Sequence, residues 1–321
     1  MRRREFFGLL GGAAVAWPLR AHAEEAAKFY TIGVLVLTAP NPDRLITALR
    51  HGLREAGYIE GRNLRLEIRT ADAKPELLAQ KAADLVRMQV DVIVAFFTPT
   101  ALAAKQETSE IPIVMAAGDP VATGIVASLA RPGGNVTGLS GGGAEVAGKS
   151  VELIREFSPS ARRIAVIVNE LDPFAKPYLA QINQAARNIG VEVEPVMTRP
   201  GQPMEPIFNT LASKRVDALV IQAASTAKET LDLAIKHRLP SLTSNRLGPP
   251  LGALMSYGSN YFELARQCAG YIDKIFKGAR PADLPVAFPT KFELIINVKT
   301  AKAIGLDLPP TLLARADEVI E

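Results

Sequence analysis

Short apolar, β-branched runs alternate with helix-patterned segments along nearly the whole chain, and the set is gone through twice. That order marks βαβ units and a parallel sheet: a strand buried on both faces needs a continuous apolar run and a helix to cover it. Residues 32–37 read as the first buried strand. Asn41 can cap the next helix with Pro42 at its first position, and Leu45, Leu49 and Leu53 stack on one face until Gly57. Leu64, Leu66 and Ile68 alternate with charged residues, which predicts a half-exposed strand. A helix over 75–88 and strands over 92–97 and 113–116 complete a first set, closing near residues 133–138. The pattern restarts with a strand at 164–168, a helix over 173–189 and strands at 191–196, 218–221 and 240–243. A long helix from Tyr261, a proline-rich passage, a strand at 292–296 and a last helix make the tail.

Two such sets without a long linker predict an α/β protein of two Rossmann-like lobes. The tail is too short for a third domain and is expected to return over both. The chain then crosses between lobes near residues 139, 258 and 288, and these crossings are expected to act as hinges. The first lobe would comprise 24–139 plus 259–288, and the second 140–258 plus 289–321.

The N-terminus reads as an address. Arg2, Arg3 and Arg4 precede a Gly/Ala-rich apolar stretch that ends in Ala21-His22-Ala23, the layout of a secretory signal peptide cleaved after Ala23. Arg3-Arg4-Glu5-Phe6-Phe7 has the order of a twin-arginine export signal. The expected location is therefore the periplasm. Four of the 37 basic residues and one of the 33 acidic ones lie in residues 1–23, so the remainder is nearly neutral. No basic field for nucleic acid is implied. Beyond the signal there is one cysteine, Cys268, and two histidines, His51 and His237. They make no zinc pattern and no nucleophile–histidine set, and Cys268 falls on the apolar face of a helix as an ordinary core residue. No metal, cofactor or enzymatic activity is expected.

Several runs carry a family resemblance. They are residues 52–63 (from Gly52-Leu53-Arg54-Glu55-Ala56-Gly57 to Asn63), Asp119-Pro120-Val121, and Arg131-Pro132-Gly133-Gly134-Asn135-Val136-Thr137-Gly138. Met255-Ser256-Tyr257-Gly258, Pro281-Ala282-Asp283-Leu284-Pro285 and 291–297 (Lys291-Phe292-Glu293-Leu294 onward) complete them. In this order they resemble the ABC transporter substrate-binding family that includes the tryptophan and tyrosine receptors, with a type I periplasmic-binding-protein fold. The resemblance implies two lobes, three hinge crossings, a small-molecule ligand trapped between the lobes, and a membrane permease as partner. A sensor kinase as the membrane partner is the alternative. Asn169-Glu170-Leu171-Asp172-Pro173 and Gln222-Ala223-Ala224-Ser225 depart from the commoner family wording, so ligand specificity is expected there.

Fold physics locates the site independently. Ligands of open parallel sheets bind beyond the C-terminal strand ends, where helix N-termini offer N–H donors. The residues there are Thr38, Thr98, Thr100 and Asp119 in the first lobe, and Asn169, Ser225 and Asn245 in the second, with Tyr257 at a hinge. Their hydroxyls, amides and carboxylate suit the polar ends of a ligand. Asp119 can instead cap a helix holding Ile125 and Leu129. Phe97, Phe174 and Tyr178 can supply apolar walls. Thr98 and Asn169, each ending an apolar strand in a different lobe, are expected to face each other.

One motif points elsewhere. Gly143-Ala144-Glu145-Val146-Ala147-Gly148-Lys149-Ser150 matches G-x-x-x-x-G-K-[ST], the phosphate loop of nucleotide hydrolases. That loop needs a buried strand before it, whereas 138–142 read as a flexible crossing, and no later strand ends in an Asp suited to Mg²⁺. The octapeptide is expected to be the start of an ordinary helix, with Val151, Ile154 and Phe157 on its core face and Lys149 in solvent.

Overall fold

A computed structural model describes residues 28–37 and 42–321; the expected signal segment, Thr38 and Asn41 lie outside the described residues. The first half runs β1 (Tyr30–Val36), α1 (Pro42–Glu55), β2 (Leu64–Thr70), α2 (Leu78–Arg87), β3 (Val92–Phe96), α3 (Thr98–Glu107), β4 (Ile113–Ala117) and β5 (Val136–Ser140). The second opens with α4 (Gly143–Phe157), β6 (Arg163–Asn169), α5 (Ala175–Asn188), β7 (Glu192–Thr198), α6 (Glu205–Ser213) and β8 (Ala218–Ile221). It continues with α7 (Lys228–Lys236), β9 (Ser241–Thr243), α8 (Gly248–Leu251) and β10 (Met255–Gly258). The tail is α9 (Tyr261–Phe276), β11 (Glu293–Asn297), α10 (Val298–Ile304), α11 (Pro310–Leu313) and β12 (Glu318–Ile320).

Among the described residues these strands form two sheets, of order β2-β1-β3-β4-β5 and β12-β11-β10-β9-β8-β6-β7. Strand pairing is parallel throughout except between β10 and β11. In the first sheet, α1 covers one face with Leu45, Leu49 and Leu53. Ala82 and Leu85 of α2 and Ala101 and Ala104 of α3 cover the other. In the second, α4 and α5 lie on one face and α6 and α7 on the opposite one. The tail divides. Leu264, Ala265, Cys268 and Ile272 of α9 join the first core against α1, while β11 and β12 extend the second sheet. The α1–α9 contact is close because Gly52 lacks a side chain: a Cβ there would stand 2.2 Å from the Arg266 carbonyl oxygen.

The chain passes three times between the sheets, at Gly141-Gly142, at Ser259-Asn260 and through residues 288–292. The Ser259 hydroxyl donates to the Gly141 carbonyl at 2.8 Å, tying two passages together. Asn260 caps α9, accepting from the N–H groups of Phe262 and Glu263.

Three local expectations change. Residues 136–140 are a fully buried edge strand of the first sheet and not a flexible crossing, because pairing with β4 and with Ala287 satisfies their backbone. Residues 255–258 are an interior strand of the second sheet. No helix follows Asp119: its carboxylate accepts from the Ala122 N–H, but 120–130 is a run of turns.

Candidate functional site

Each sheet reverses its order once, between β1 and β3 in the first and between β6 and β8 in the second. At such a point the helices leave to opposite faces and a crevice opens beyond the strand ends. The two crevices face one another across a cavity of about 250 Å³, room for roughly ten water-sized groups.

The first-sheet side is an aromatic wall. Phe97 holds a left-handed backbone conformation (φ 72°) just before α3, a conformation that costs about 1–3 kcal/mol in a non-glycine residue and is concentrated at functional sites. It places the Phe97 ring against Tyr261 of α9, with centroids 4.7 Å apart. Phe262 adds to the wall, and Thr98 lines the cavity from the first position of α3.

The second-sheet side is a polar network with one carboxylate. The Asn169 N–H donates to Gln222 Oε1 at 3.1 Å, and Gln222 Nε2 donates to Asp172 Oδ2 at 2.8 Å. These two bonds fix which way the Gln222 amide faces. The Phe174 N–H donates to Asp172 Oδ1 at 2.9 Å, and the Leu171 N–H to Asn169 Oδ1 at 3.0 Å. Burial pushes the Asp172 carboxyl up to about 6, against the pull of that Phe174 bond. Burial also raises the Tyr261 phenol, helped by the negative charge of Asp172, so that hydroxyl stays protonated. Arg246, at the margin of the cavity, is paired with Glu293 and Glu318.

The sides touch through Phe174. Its ring fills a slot between Gly118 of the first lobe and Gly143 at the start of α4: a Cβ on Gly118 would lie 3.0 Å from two ring carbons, and one on Gly143 2.2 Å from a third.

Of the residues expected from sequence, the cavity brings together Thr98, Asn169 and Asn245, with Phe97, Phe174 and Tyr178 among its walls. Four others are placed elsewhere. Thr100 turns its hydroxyl back onto the carbonyls of Phe96 and Phe97, because one turn into α3 those carbonyls are the nearest acceptors. Asp119 closes its own turn. Ser225 sits on a 3-10 turn beside the cavity, which reaches Ala223, Ala224 and Thr226 but not Ser225 itself. Tyr257, within β10, packs on Phe292 with centroids 5.7 Å apart, under the third passage. Thr38 lies outside the described residues. Asp172, Gln222 and Tyr261 were not singled out as ligand contacts, although the departure of 169–173 and 222–225 from family wording marked two of those loops.

The phosphate-loop match dissolves in the structure. A buried strand does precede it, contrary to expectation, but only Gly141-Gly142 separate that strand from α4. All eight motif residues are helical, and the Gly143 and Val146 N–H groups already donate to the Gly118 and Gly142 carbonyls, so the motif forms no open phosphate loop. Lys149 pairs with Glu152 at 2.7 Å. Among the described residues no cluster of His, Cys, Asp or Glu could hold a metal ion, and no helix is long and apolar enough to cross a membrane.

Comparison with known proteins agrees with this fold. The family model for the ABC transporter substrate binding protein matches residues 31–320. A tyrosine-binding protein of Clostridioides difficile (strain R20291) is 27% identical over 288 residues, 88% of this chain and 83% of the relative. The ABC domain in complex with L-Trp from Streptococcus pneumonia superposes with a TM-score of 0.82 at 25% identity, covering 91% of this chain and 100% of that one. The ligand-free, open structure of a substrate-binding protein with adhesive properties from Clostridium difficile gives 0.68 at 26% identity, covering 91% and 99%.

Proposed function

The chain belongs to the ABC transporter substrate-binding protein family, a family of binding proteins and not of catalysts, and from that membership we propose that it is the receptor of an importer for an amine with an aromatic body, an aromatic amino acid being the simplest case. The observation that carries this is Asp172, a buried carboxylate held by Gln222 and Phe174 inside an aromatic cleft. Left alone it bears the cost of desolvation; an ammonium group removes that cost. The ring of the ligand lies among Phe97, Phe174 and Phe262. Its carboxylate is met by Thr98 at the start of α3, where the helix leaves N–H groups without internal partners. The relatives named for tyrosine and crystallised with L-Trp support the same class.

The lobes of this reading are 24–139 with 259–288 and 140–258 with 289–321, moving about the three passages. The higher TM-score to the L-Trp complex than to the ligand-free, open relative, at nearly equal identity, supports a closed arrangement here. The protein works outside the cytoplasm, exported by its N-terminal signal and cut after Ala23, and delivers its ligand to a membrane permease.

Thermal melts of residues 24–321 test it, using L-tyrosine, L-tryptophan and L-phenylalanine beside their deaminated acids. A ligand at 100 times its Kd adds about 2.7 kcal/mol of stability. The amines are expected to raise the melting temperature and the deaminated acids to leave it unmoved. The reverse pattern sinks the assignment of Asp172.

A further inference from the structure

Three glycines in a row, Gly141, Gly142 and Gly143, carry the first passage into α4, and each is covered by an aromatic side chain from a different part of the chain. A Cβ on Gly141 would run into the Tyr261 hydroxyl, and one on Gly143 into the Phe174 ring. One on Gly142 would stand 2.5 Å from Cζ of Phe292. Gly141 and Gly143 line the cavity together with Tyr261 and Phe174, whereas neither Gly142 nor Phe292 does. Phe292 therefore presses on the passage away from the cavity.

That ring is where the three passages meet. Phe292 ends the third passage, immediately before β11. It packs on Tyr257 with centroids 5.7 Å apart and on Phe288 at 6.2 Å. Tyr257 lies two residues before Ser259 of the second passage, whose hydroxyl is bonded to Gly141 in the first. Gly142 is the loosest point among them. The Gly141 and Gly143 N–H groups donate to the Ala117 and Gly118 carbonyls past the body of β4, which ties both to the first lobe. The Gly142 N–H reaches only the hydroxyl of Ser140, and its carbonyl accepts from Val146 of α4. Its backbone is left-handed (φ 68°), and without a Cβ its torsions are wide open. The side chain seated on it is what narrows them.

We infer that Phe292 is a positioning residue of the receptor: seated on Gly142, it limits how far the lobes swing apart and keeps the empty cleft near the geometry that takes a ligand. This rests on the lobes moving about the three passages, and not on the chemistry of the ligand. A protein whose binding-competent arrangement is populated only in part loses affinity by that fraction. A ring that touches no ligand thereby sets how tightly a ligand is held.

The lobe-to-lobe distance in residues 24–321 is the test, read by double electron–electron resonance between spin labels at Gln106→Cys on α3 and Glu229→Cys on α7, both exposed. Cys268 is buried and burial pushes its thiol up to about 12, so it does not take the label. Without ligand, Phe292→Leu is expected to give a broader and longer distance distribution than the parent. Gly142→Ala, whose methyl pushes the ring aside, is expected to do the same. Calorimetry with L-tyrosine and L-tryptophan is expected to show binding about fivefold weaker in both variants. The factor is expected to be equal for the two amino acids, because no contact with them is lost. Unchanged distances in both variants overturn the inference, and so does broadening with unchanged affinity. Broadening in Phe292→Leu alone traces to lost packing under the third passage and overturns it as well. Melts establish that each variant is folded at the measuring temperature; where Phe292→Leu is not, Gly142→Ala decides. If neither amino acid binds the parent, the amine reading fails, and the distances alone decide on Phe292.

Discussion

The two sides of the cleft are built from the same kind of sheet, yet they offer a ligand different chemistry. The first-lobe side presents Phe97, Tyr261, Phe262 and Leu45 with the Thr98 hydroxyl, and among the described residues no charged one lines the cavity there. The second-lobe side presents Asn169, Gln222 and Asp172, joined by hydrogen bonds around a single carboxylate, with Asn245 beside them. An apolar wall rewards any ring of about the right size, since burial free energy follows area. A polar network rewards only a ligand that completes it, since an unpaired buried group costs more than a paired one returns. On the proposed amine reading, ligand identity is expected to be set by the second-lobe side and closure by the first.

The strongest way to break this contrast is Asp172→Asn. Loss of the buried charge opposite a ligand ammonium is expected to weaken binding about 30-fold or more, read by calorimetry. The pH dependence sharpens it. The Asp172 carboxyl titrates near 6 in the folded protein and near 3.8 when unperturbed. Its folded form holds a proton that the unfolded chain has already lost, so the empty protein loses stability as pH rises from about 4 to 6. Ligand affinity runs the other way, falling about tenfold per pH step below about 6, where the carboxylate neutralises. Melts and titrations across pH 4–8 are expected to show these opposed trends in the parent and neither in Asp172→Asn.

A smaller effect tests the first lobe as a closing surface. Gly118→Ala sets a methyl 3.0 Å from two carbons of the Phe174 ring, a contact that exists only while the lobes meet. Overpacking of this kind costs about 1–3 kcal/mol. Ligand affinity is expected to drop about fivefold, with the melting temperature of the empty protein unchanged and less ligand-induced compaction in small-angle scattering. A melting temperature lowered in the empty protein would mean that the lobes meet without ligand.

The smallest effect is expected away from both sides. Lys149 pairs with Glu152 and Glu156 on the surface of α4, so Lys149→Ala should change ligand affinity and stability by less than about 0.5 kcal/mol. ATP hydrolysis by the parent that vanishes in this variant would restore the phosphate-loop reading.

Much of this architecture was legible from residue order. Runs such as 92–97 and 164–168 are apolar at every position because each strand is buried on both faces, a local demand that a local pattern records. The rule that ligands meet strand ends then reached Thr98, Asn169 and Asn245, since Asn169 ends its strand and the other two lie two residues past theirs. It missed Asp172 because that residue lies three positions past β6, where only the turn through Asn169 and the bond from Gln222 bring its carboxylate back. Strand β5 escaped because its Gly138 and Ser140 read as loop, and its burial comes from β4 and Ala287, which are distant in sequence.

By itself the sequence determined the number of lobes, the strands at their centres and the family, because burial of a strand or helix face writes a period into consecutive residues. Only the tertiary structure decided which strand ends became the cleft. The order β2-β1-β3 and the order β8-β6-β7 set the two reversal points, and strand order depends on pairings that no local period encodes. It also decided that Tyr261, far along the chain, stacks on Phe97, and that Phe174 reaches Gly118 in the other lobe. Contacts between residues so far apart in sequence arise from how complete lobes pack, and packing is settled only once the whole chain is folded.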